Sequence, residues 1–335
     1  MNVPVGPRKP ILVVGPTRCD VMSQRVGPTT RIGFLGPTGT FTEQALLTQP
    51  DLARAQLQAR PSFAEILFAV DDGELDLGFV AIENAIEGAV NVTMDTLAFD
   101  VQLLIQREVV LAVEMNLMAR PGADLEGVKR IASFPHAHAQ CRTWLRAHLP
   151  EAELVATSST AEAAELVASG NDNAIAAVAN VRAADVYGLE LLARDIEDHP
   201  ENSTRFALVG RQAIPPPTGH DKTSIVVFQR ADEPGSLLGI LHEFAARSIN
   251  LTLLLSRPTK TALGDYCFIL DLEGHVSDEV VADCLRTLKE KQADVKFLGS
   301  YPAGSPGGPE LRRVANSSSR AASEWITSIR SRVVD

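Results

Sequence analysis

A chain of 335 residues is more than one ordinary core holds, so two or three domains are expected. Hydrophobic residues make up 45% and aromatic ones 5%, which leaves Leu, Val, Ile and Ala to fill the cores, and no apolar run is long enough to span a membrane. The net charge of -11 argues against a nucleic-acid partner, and Cys19, Cys141, Cys267 and Cys284 form neither a CxxC pair nor a spaced ligand set, so a cytoplasmic protein with reduced thiols and no metal is expected.

Residues 1–30 are rich in Pro, Gly and Thr and read as a disordered extension. Arg8 and Lys9 precede Ile11–Val14, but Gly15-Pro16 breaks that run too early for a signal peptide. From Arg31 the pattern changes. Ile32–Leu35 is a short buried strand, Gly36–Gly39 a loop, and Thr40 with Glu43 a capping box that opens a helix through Leu47. Ser62 and Glu65 open a second helix ending near Gly73, and Leu77–Ile82 is a buried strand. A helix over Asn91–Ala98 and a strand-like stretch over Val101–Val113 follow. A second set has strands at Ile131–Ser133, Glu153–Ala156, Ala174–Val178 and Phe206–Gly210. Its helices run over Pro135–Ala147, from the Ser159/Glu162 capping box to Gly170, and over Val181–Val186. Alternating strands and helices imply α/β architecture with mostly parallel pairing, here in two lobes with a cleft between them.

Pro215–Gly219 is a stiff linker. Beyond it, strands at Lys222–Arg230, Asn250–Leu255, Asp265–Leu272 and Val295–Leu298 alternate with helices marked by Leu237, Leu241 and Phe244 and by Val281, Leu285 and Leu288. That order is βαββαβ, the ferredoxin-like arrangement. Ala303–Pro309 is a flexible tract, and Trp325, Ile326 and Ile329 suggest a short amphipathic terminal helix.

Chemistry in open α/β folds gathers where strands end and loops meet helix N-termini. Four stretches qualify. Gly36–Phe41 offers backbone amides and the Thr38 and Thr40 hydroxyls to a carboxylate, unless Thr40 only caps its helix. Ile82–Val90 puts Asn84 just past a buried strand, where an amide can donate and accept; capping the next turn is an equally good use. Ser133–Cys141 holds His136 and His138, which point to different helix sides and do not share a metal, with Gln140 on the face of His136. Glu201–Phe206 presents the Thr204 hydroxyl and the Arg205 guanidinium, or is a plain surface loop entering a strand.

Together and in this order the stretches resemble prephenate dehydratase. That family shows Gly-Pro-x-Gly-Thr-Phe (Gly36–Phe41), Ile-Glu-Asn followed by Glu-Gly (Ile82–Gly88), Ser-x-Pro with a downstream Gln (Ser133, Gln140), a Ser-Thr pair (Ser159-Thr160) and Thr-Arg-Phe (Thr204–Phe206). A linked ACT domain fits too, and the resemblance covers about residues 31–301. It implies a two-lobed catalytic domain like a type 2 periplasmic binding protein over residues 31–212, a linker at 213–221, an ACT domain at 222–301 and a tail at 302–335. It implies decarboxylating dehydration of prephenate to phenylpyruvate without a cofactor. Thr204 is then the leading catalytic residue, with Asn84, Ser133 and Gln140 lining the site, and Thr38, Thr40, Ser159, Thr160 and Arg205 hold the substrate.

In family ACT domains L-phenylalanine binds at subunit interfaces, which implies a homo-oligomer, dimer or tetramer. The matching positions are Gly235, Ser236 and Leu237, then Ser256, Arg257 and Pro258, with Asn250 near the effector's charges. Three residues depart from the pattern: Leu255 replaces a Glu, Ala85 a hydroxyl residue and His136 a common Gln. Arogenate, with an amine in place of the keto group, is the nearest alternative substrate. A non-catalytic amino-acid sensor is the alternative of a different class.

Overall fold

The computed structural model describes residues 26–229, 233–259 and 265–304, with Trp325, Ser328, Ile329 and Ser331 beyond them. Most of the expected N-terminal extension and of the terminal helix, including Ile326, falls outside these residues.

The first lobe opens with β1 (Arg31–Leu35), α1 (Phe41–Leu47), β2 (Gln56–Arg60), α2 (Phe63–Asp71), β3 (Leu77–Asn84) and the short β4 (Gly88–Ala89). Next come α3 (Asn91–Asp95), which runs into a π turn at Thr96–Asp100, and β5 (Leu104–Ala112). The second lobe holds β6 (Asn116–Ala119), β7 (Arg130–Ser133), α4 (Pro135–Gln140), α5 (Arg142–His148), β8 (Glu153–Ala156), α6 (Thr160–Ser169), β9 (Ile175–Ala179), α7 (Val181–Tyr187) and β10 (Glu190–Ala193). The chain then returns to the first lobe as β11 (Ser203–Gly210).

The first sheet has the order β2-β1-β3-β11-β5 and the second β10-β6-β9-β7-β8. Only β1, β2 and β3, and β7, β8 and β9, pair in parallel; β11 and β5, and β6 and β10, pair antiparallel to their neighbours. The expectation of mostly parallel pairing is therefore corrected. The connections that cross between lobes are short, so β6 and β11 start at the groove where β9 and β3 end, and must run the opposite way. The crossing strands β6 and β10, and the edge strand β2, carried no clear period in sequence.

Each capping box works as expected: Thr40, Ser62 and Ser159 accept from the N–H of Glu43, Glu65 and Glu162. The helix expected over Pro135–Ala147 is broken at Cys141. The Asp198 carboxylate, arriving from the return crossing, caps the second piece at the Thr143 N–H (3.1 and 3.2 Å).

One face of the first sheet packs on α1 through Ile32, Phe34, Phe79, Phe206 and Leu46. Phe79 and Phe206 stack with ring centroids 5.3 Å apart, and burying each contributes roughly 1.5–3 kcal/mol. The opposite face packs on α2 and on a third sheet.

That sheet is built from β12 (Asp221–Phe228), α8 (Ser236–Ala245), β13 (Leu251–Pro258), β14 (Tyr266–Glu273), α9 (Glu279–Lys291) and β15 (Asp294–Pro302), in the antiparallel order β13-β14-β12-β15. Helices α8 and α9 cover one of its faces through Ile240, Phe244, Val281 and Leu288. The other face presents Val226, Cys267, Ile269, Leu298 and Tyr301 to Ile82, Ile105 and Val209 of the first lobe, in one continuous core. Because β12 is covered on both sides, it reads as the unbroken apolar run Ile225–Phe228. At a bulge in β15, Gly299 has φ +140°, and a Cβ there would lie 2.3 Å from the Ile105 carbonyl oxygen. The backbones of β15 and β5 meet at that point.

Candidate active site

The carboxyl ends of β1 and β3, the start of β11 and the ends of β7, β8 and β9 all face the groove between the lobes. Along β11 side chains alternate, so Thr204 shares a face with Phe206 while Arg205 shares the opposite face with Ala207. On β3 the alternation would put Asn84 on the wrong face relative to Phe79 and Ala81. A bulge corrects it: Thr204 opposes Asn84 and Arg205 opposes Glu83, but Phe206 opposes Ala81, leaving Ile82 extra.

Asn84 Nδ2 donates to Thr204 Oγ1 at 3.0 Å, while Asn84 Oδ1 accepts from the Ile86 and Glu87 N–H groups, both at 3.0 Å. Asn84 thus caps the next turn and at the same time reaches the Thr204 hydroxyl. Because Oδ1 is occupied by two N–H donors, the amide orientation is settled. Thr204 Oγ1 is an acceptor toward Asn84 and its own hydrogen is left to be donated elsewhere.

The second lobe meets this pair from the other side. Gln140 Oε1 accepts from Asn202 Nδ2 at 3.5 Å, two residues before Thr204. His136 Nδ1 lies 3.2 Å from Glu87 Oε1 across the groove, and both side chains are half-exposed. Ser133 is fully buried and donates to the Val178 carbonyl at 2.7 Å. Asn180, equally buried, caps α7 by accepting from the Ala183 N–H (2.8 Å), and its Nδ2 has no hydrogen-bond partner in the protein. The sequence reading missed Asn180, although an Asn between a buried strand and a helix is an N-cap signature.

A second seam joins α7 to the glycine loop. Glu43 is buried, accepts from the Gly39 N–H at 2.5 Å and pairs with Arg182 at 3.3 Å, and the Tyr187 hydroxyl donates to the Thr38 carbonyl at 3.0 Å. Thr40 donates to the Leu35 carbonyl (2.8 Å) while capping Glu43, so its hydroxyl is committed within the fold. The Ser159 hydroxyl accepts from the Glu162 N–H at 3.0 Å, with Thr160 beside it at the start of α6. The Thr38 side chain is exposed at the loop's outer edge.

Arg205 requires a correction. Its side chain leaves the groove by the opposite face of β11 and binds Glu83 (2.7 Å), Glu108 (3.3 Å) and Asp271 of the third sheet (2.7 Å). Burial opposes its charge, but Asp271 and Glu108 outweigh burial and raise its pKa. It is not placed to hold a substrate in the groove.

The two histidines diverge as expected. His138 is buried, with Nε2 3.1 Å from the Ile131 carbonyl. No group of His, Cys, Asp or Glu among the described residues is arranged to hold a metal. Burial lowers the His138 pKa, against the opposing effect of the Ile131 hydrogen bond. The unfolded chain therefore takes up a proton more readily than the folded one, and stability falls as pH drops through the unfolded value of about 6.5. We expect acidification from about pH 7 to pH 5 to lower the melting temperature more in the wild type than in His138→Gln. Parallel melting curves at the two pH values measure the difference.

Comparison with known proteins gives the family. A family model described as prephenate dehydratase matches residues 32–214. The chain belongs to the prephenate dehydratase family. An ACT domain model matches residues 223–290. The prephenate dehydratase of Mycolicibacterium vanbaalenii is 46% identical over 287 residues, 82% of this chain and 91% of that one. That of Mycobacterium tuberculosis is 42% identical over 313 residues, 90% of this chain and 94% of that one. The crystal structure of prephenate dehydratase from Arthrobacter aurescens in complex with L-Phe superposes with a TM-score of 0.81 at 40% identity, covering 90% of this chain and 100% of that one.

In the ACT unit, the start of α8 and strands β13 and β14 enclose an open pocket of ≈ 610 Å³. Gly235, Ser236, Leu237 and Ser256 line it, with Tyr266 and Phe268. Gly235 has φ +89° and Ser236 Oγ donates to Gln229 Oε1 at 2.9 Å. The remaining expected effector residues lie elsewhere. Arg257 sits on the other face of β13 and pairs with Asp95 of α3 through two contacts of 2.7 Å. Asn250 is exposed before β13, and neither it nor Pro258 lines the pocket. Leu255 also faces away, packing against the core shared with the first lobe, so the loss of a Glu there takes nothing from the pocket wall.

Proposed function

We propose that this chain converts prephenate to phenylpyruvate, carbon dioxide and water in the interlobe groove, with Thr204 at the leaving hydroxyl. The hydrogen bond from Asn84 to Thr204 carries this reading. It fixes the threonine oxygen as an acceptor and turns its hydrogen outward. The reaction breaks the bond between the ring and its carboxylate, and those electrons enter the ring. The carbon–oxygen bond on the far side breaks, and the departing oxygen takes up one proton to leave as water. The product ring is aromatic, so no electron sink is needed. Thr204 donates a hydrogen bond to the departing oxygen and relays a proton from solvent, being too weak an acid to give up its own outright.

The substrate is a dianion, and with Arg205 turned away its carboxylates need other donors. Asn180 Nδ2, buried without a hydrogen-bond partner where β9 meets α7, is a candidate donor that has to be uncovered to reach one of them. Incubating the protein with prephenate and watching phenylpyruvate absorbance appear tests the reading, and arogenate in a parallel cuvette tests the amine analogue.

The same reading places L-phenylalanine, as feedback effector, in the pocket at Gly235, Ser236, Leu237 and Ser256. It makes the chain a cytoplasmic homo-oligomer in which a second copy covers that pocket, since Leu238 is 70% exposed beside it. We expect phenylalanine to release heat on titration and to inhibit turnover, and Gly235→Val to abolish both by placing a branched side chain at a positive φ on the pocket rim. Undiminished heat in that variant would move the effector elsewhere.

A further inference from the structure

The catalytic rung of the first sheet is secured from behind. Thr204 and Asn84 form one cross-strand pair, and Arg205 and Glu83 form the next, on the opposite face of the same two strands. Both rungs lie against the bulge at Ile82, where the ladder is interrupted and backbone pairing alone sets the register weakly. Side chains must hold the strands there.

On the back face Arg205 spans Glu83 of β3, Glu108 of β5 and Asp271 of β14. Asp271 is itself held by Ser224 Oγ (2.6 Å), which meets the Tyr301 hydroxyl at 2.7 Å. Lys222 binds Glu108 at 2.9 Å. The Asp271 and Glu108 side chains are 1% exposed, so the anchor is rigid and shielded from solvent. A planar guanidinium reaches carboxylates on three strands at once; an ammonium does not. A second contact of the same kind, Arg257 with Asp95, ties the ACT sheet to α3, the helix that follows the Asn84 turn.

We propose that Arg205 is a positioning residue for the Thr204–Asn84 pair, and that its anchor is Asp271 of the ACT sheet. The ACT unit then bears on turnover directly, through the back of the sheet that carries the Thr204–Asn84 pair, and not only through an effector. This inference rests on the reading of Thr204 given above.

The test uses the full chain with Asp271→Asn, Asp271→Glu, Arg205→Lys and, in parallel, Thr204→Ala. Ile269→Val serves as a control that loosens the same interface without touching the ionic groups. Asp271→Asn and Arg205→Lys lower kcat about tenfold or more while KM for prephenate stays within about twofold, and Asp271→Glu recovers part of the loss. Ile269→Val lowers the melting temperature but keeps kcat. A folded Asp271→Asn with full kcat overturns the proposal, and so does a kcat loss in Ile269→Val as large as that in Asp271→Asn. Should Asp271→Asn fail to fold, Arg205→Lys decides by the same criterion. Thr204→Ala with normal turnover overturns the Thr204 reading and this one with it. An inactive Thr204→Ala beside unimpaired Asp271→Asn and Arg205→Lys removes the positioning role alone.

Discussion

Thr204→Ala lowers kcat about a hundred- to thousandfold with KM for prephenate changed only a few-fold, the loss expected when one donor to developing negative charge is removed. The reason lies in the order of donors. Asn84 gives its hydrogen to Thr204 and is held by two backbone amides, so it does not swing in to replace the missing hydroxyl. Thr204→Ser keeps the hydroxyl but loses the methyl that restricts its rotamer, and retains most of the turnover. Initial rates of phenylpyruvate formation across prephenate concentrations give both constants. A Thr204→Ala enzyme within threefold of wild-type kcat would assign the chemistry to another group.

Gly299→Ala destabilises the folded chain by about 3 kcal/mol, with a fall in melting temperature of roughly 6–12 °C. Two costs combine. The residue has φ +140°, which side-chain-bearing residues rarely adopt, and the new Cβ would meet the backbone of Ile105 at 2.3 Å. The clashing atoms all belong to the Ile105 backbone and none is the flexible end of a side chain, so relief requires β15 and β5 to part. The damage is expected at the junction between the ACT sheet and the first lobe. Hydrogen exchange should show lost protection in β15, β5 and β11, with α6 and β9 spared. A melting curve that overlays the wild type would mean that the two backbones are not in close contact.

Local chemistry was the legible part of the fold. Capping boxes at Thr40, Ser62 and Ser159 located helix starts because the hydroxyl and the acid act within four residues. The βαββαβ order of the ACT unit was legible because its strands are apolar runs of ordinary length. Strand direction was not, since β6, β10 and β11 owe their direction to where the chain crosses between lobes. Within the candidate site, local pattern did not single out Thr204 or Asn84, since a plain loop and a turn cap accounted for them as well; the ordered set of motifs shared with the family did. The destination of Arg205 was hidden for a different reason: its partner Asp271 lies 66 positions away on another sheet. The parity shift at Ile82, which sends Asn84 and Glu83 to opposite faces, also leaves no mark in a single sequence. Alternation along β13 likewise separates Arg257 from its neighbour Ser256 and sends it to Asp95, which spacing in the sequence does not show.

The backbone passes between the lobes twice, out after β5 and back into β11, and these two strands lie side by side. Both pivots of any opening motion therefore fall on one edge of the groove, like the two knuckles of a single door hinge. Thr204 stands on the second knuckle, one residue inside the returning strand. A jaw swinging about that edge leaves the hydroxyl close to its axis, where the rotation displaces it least.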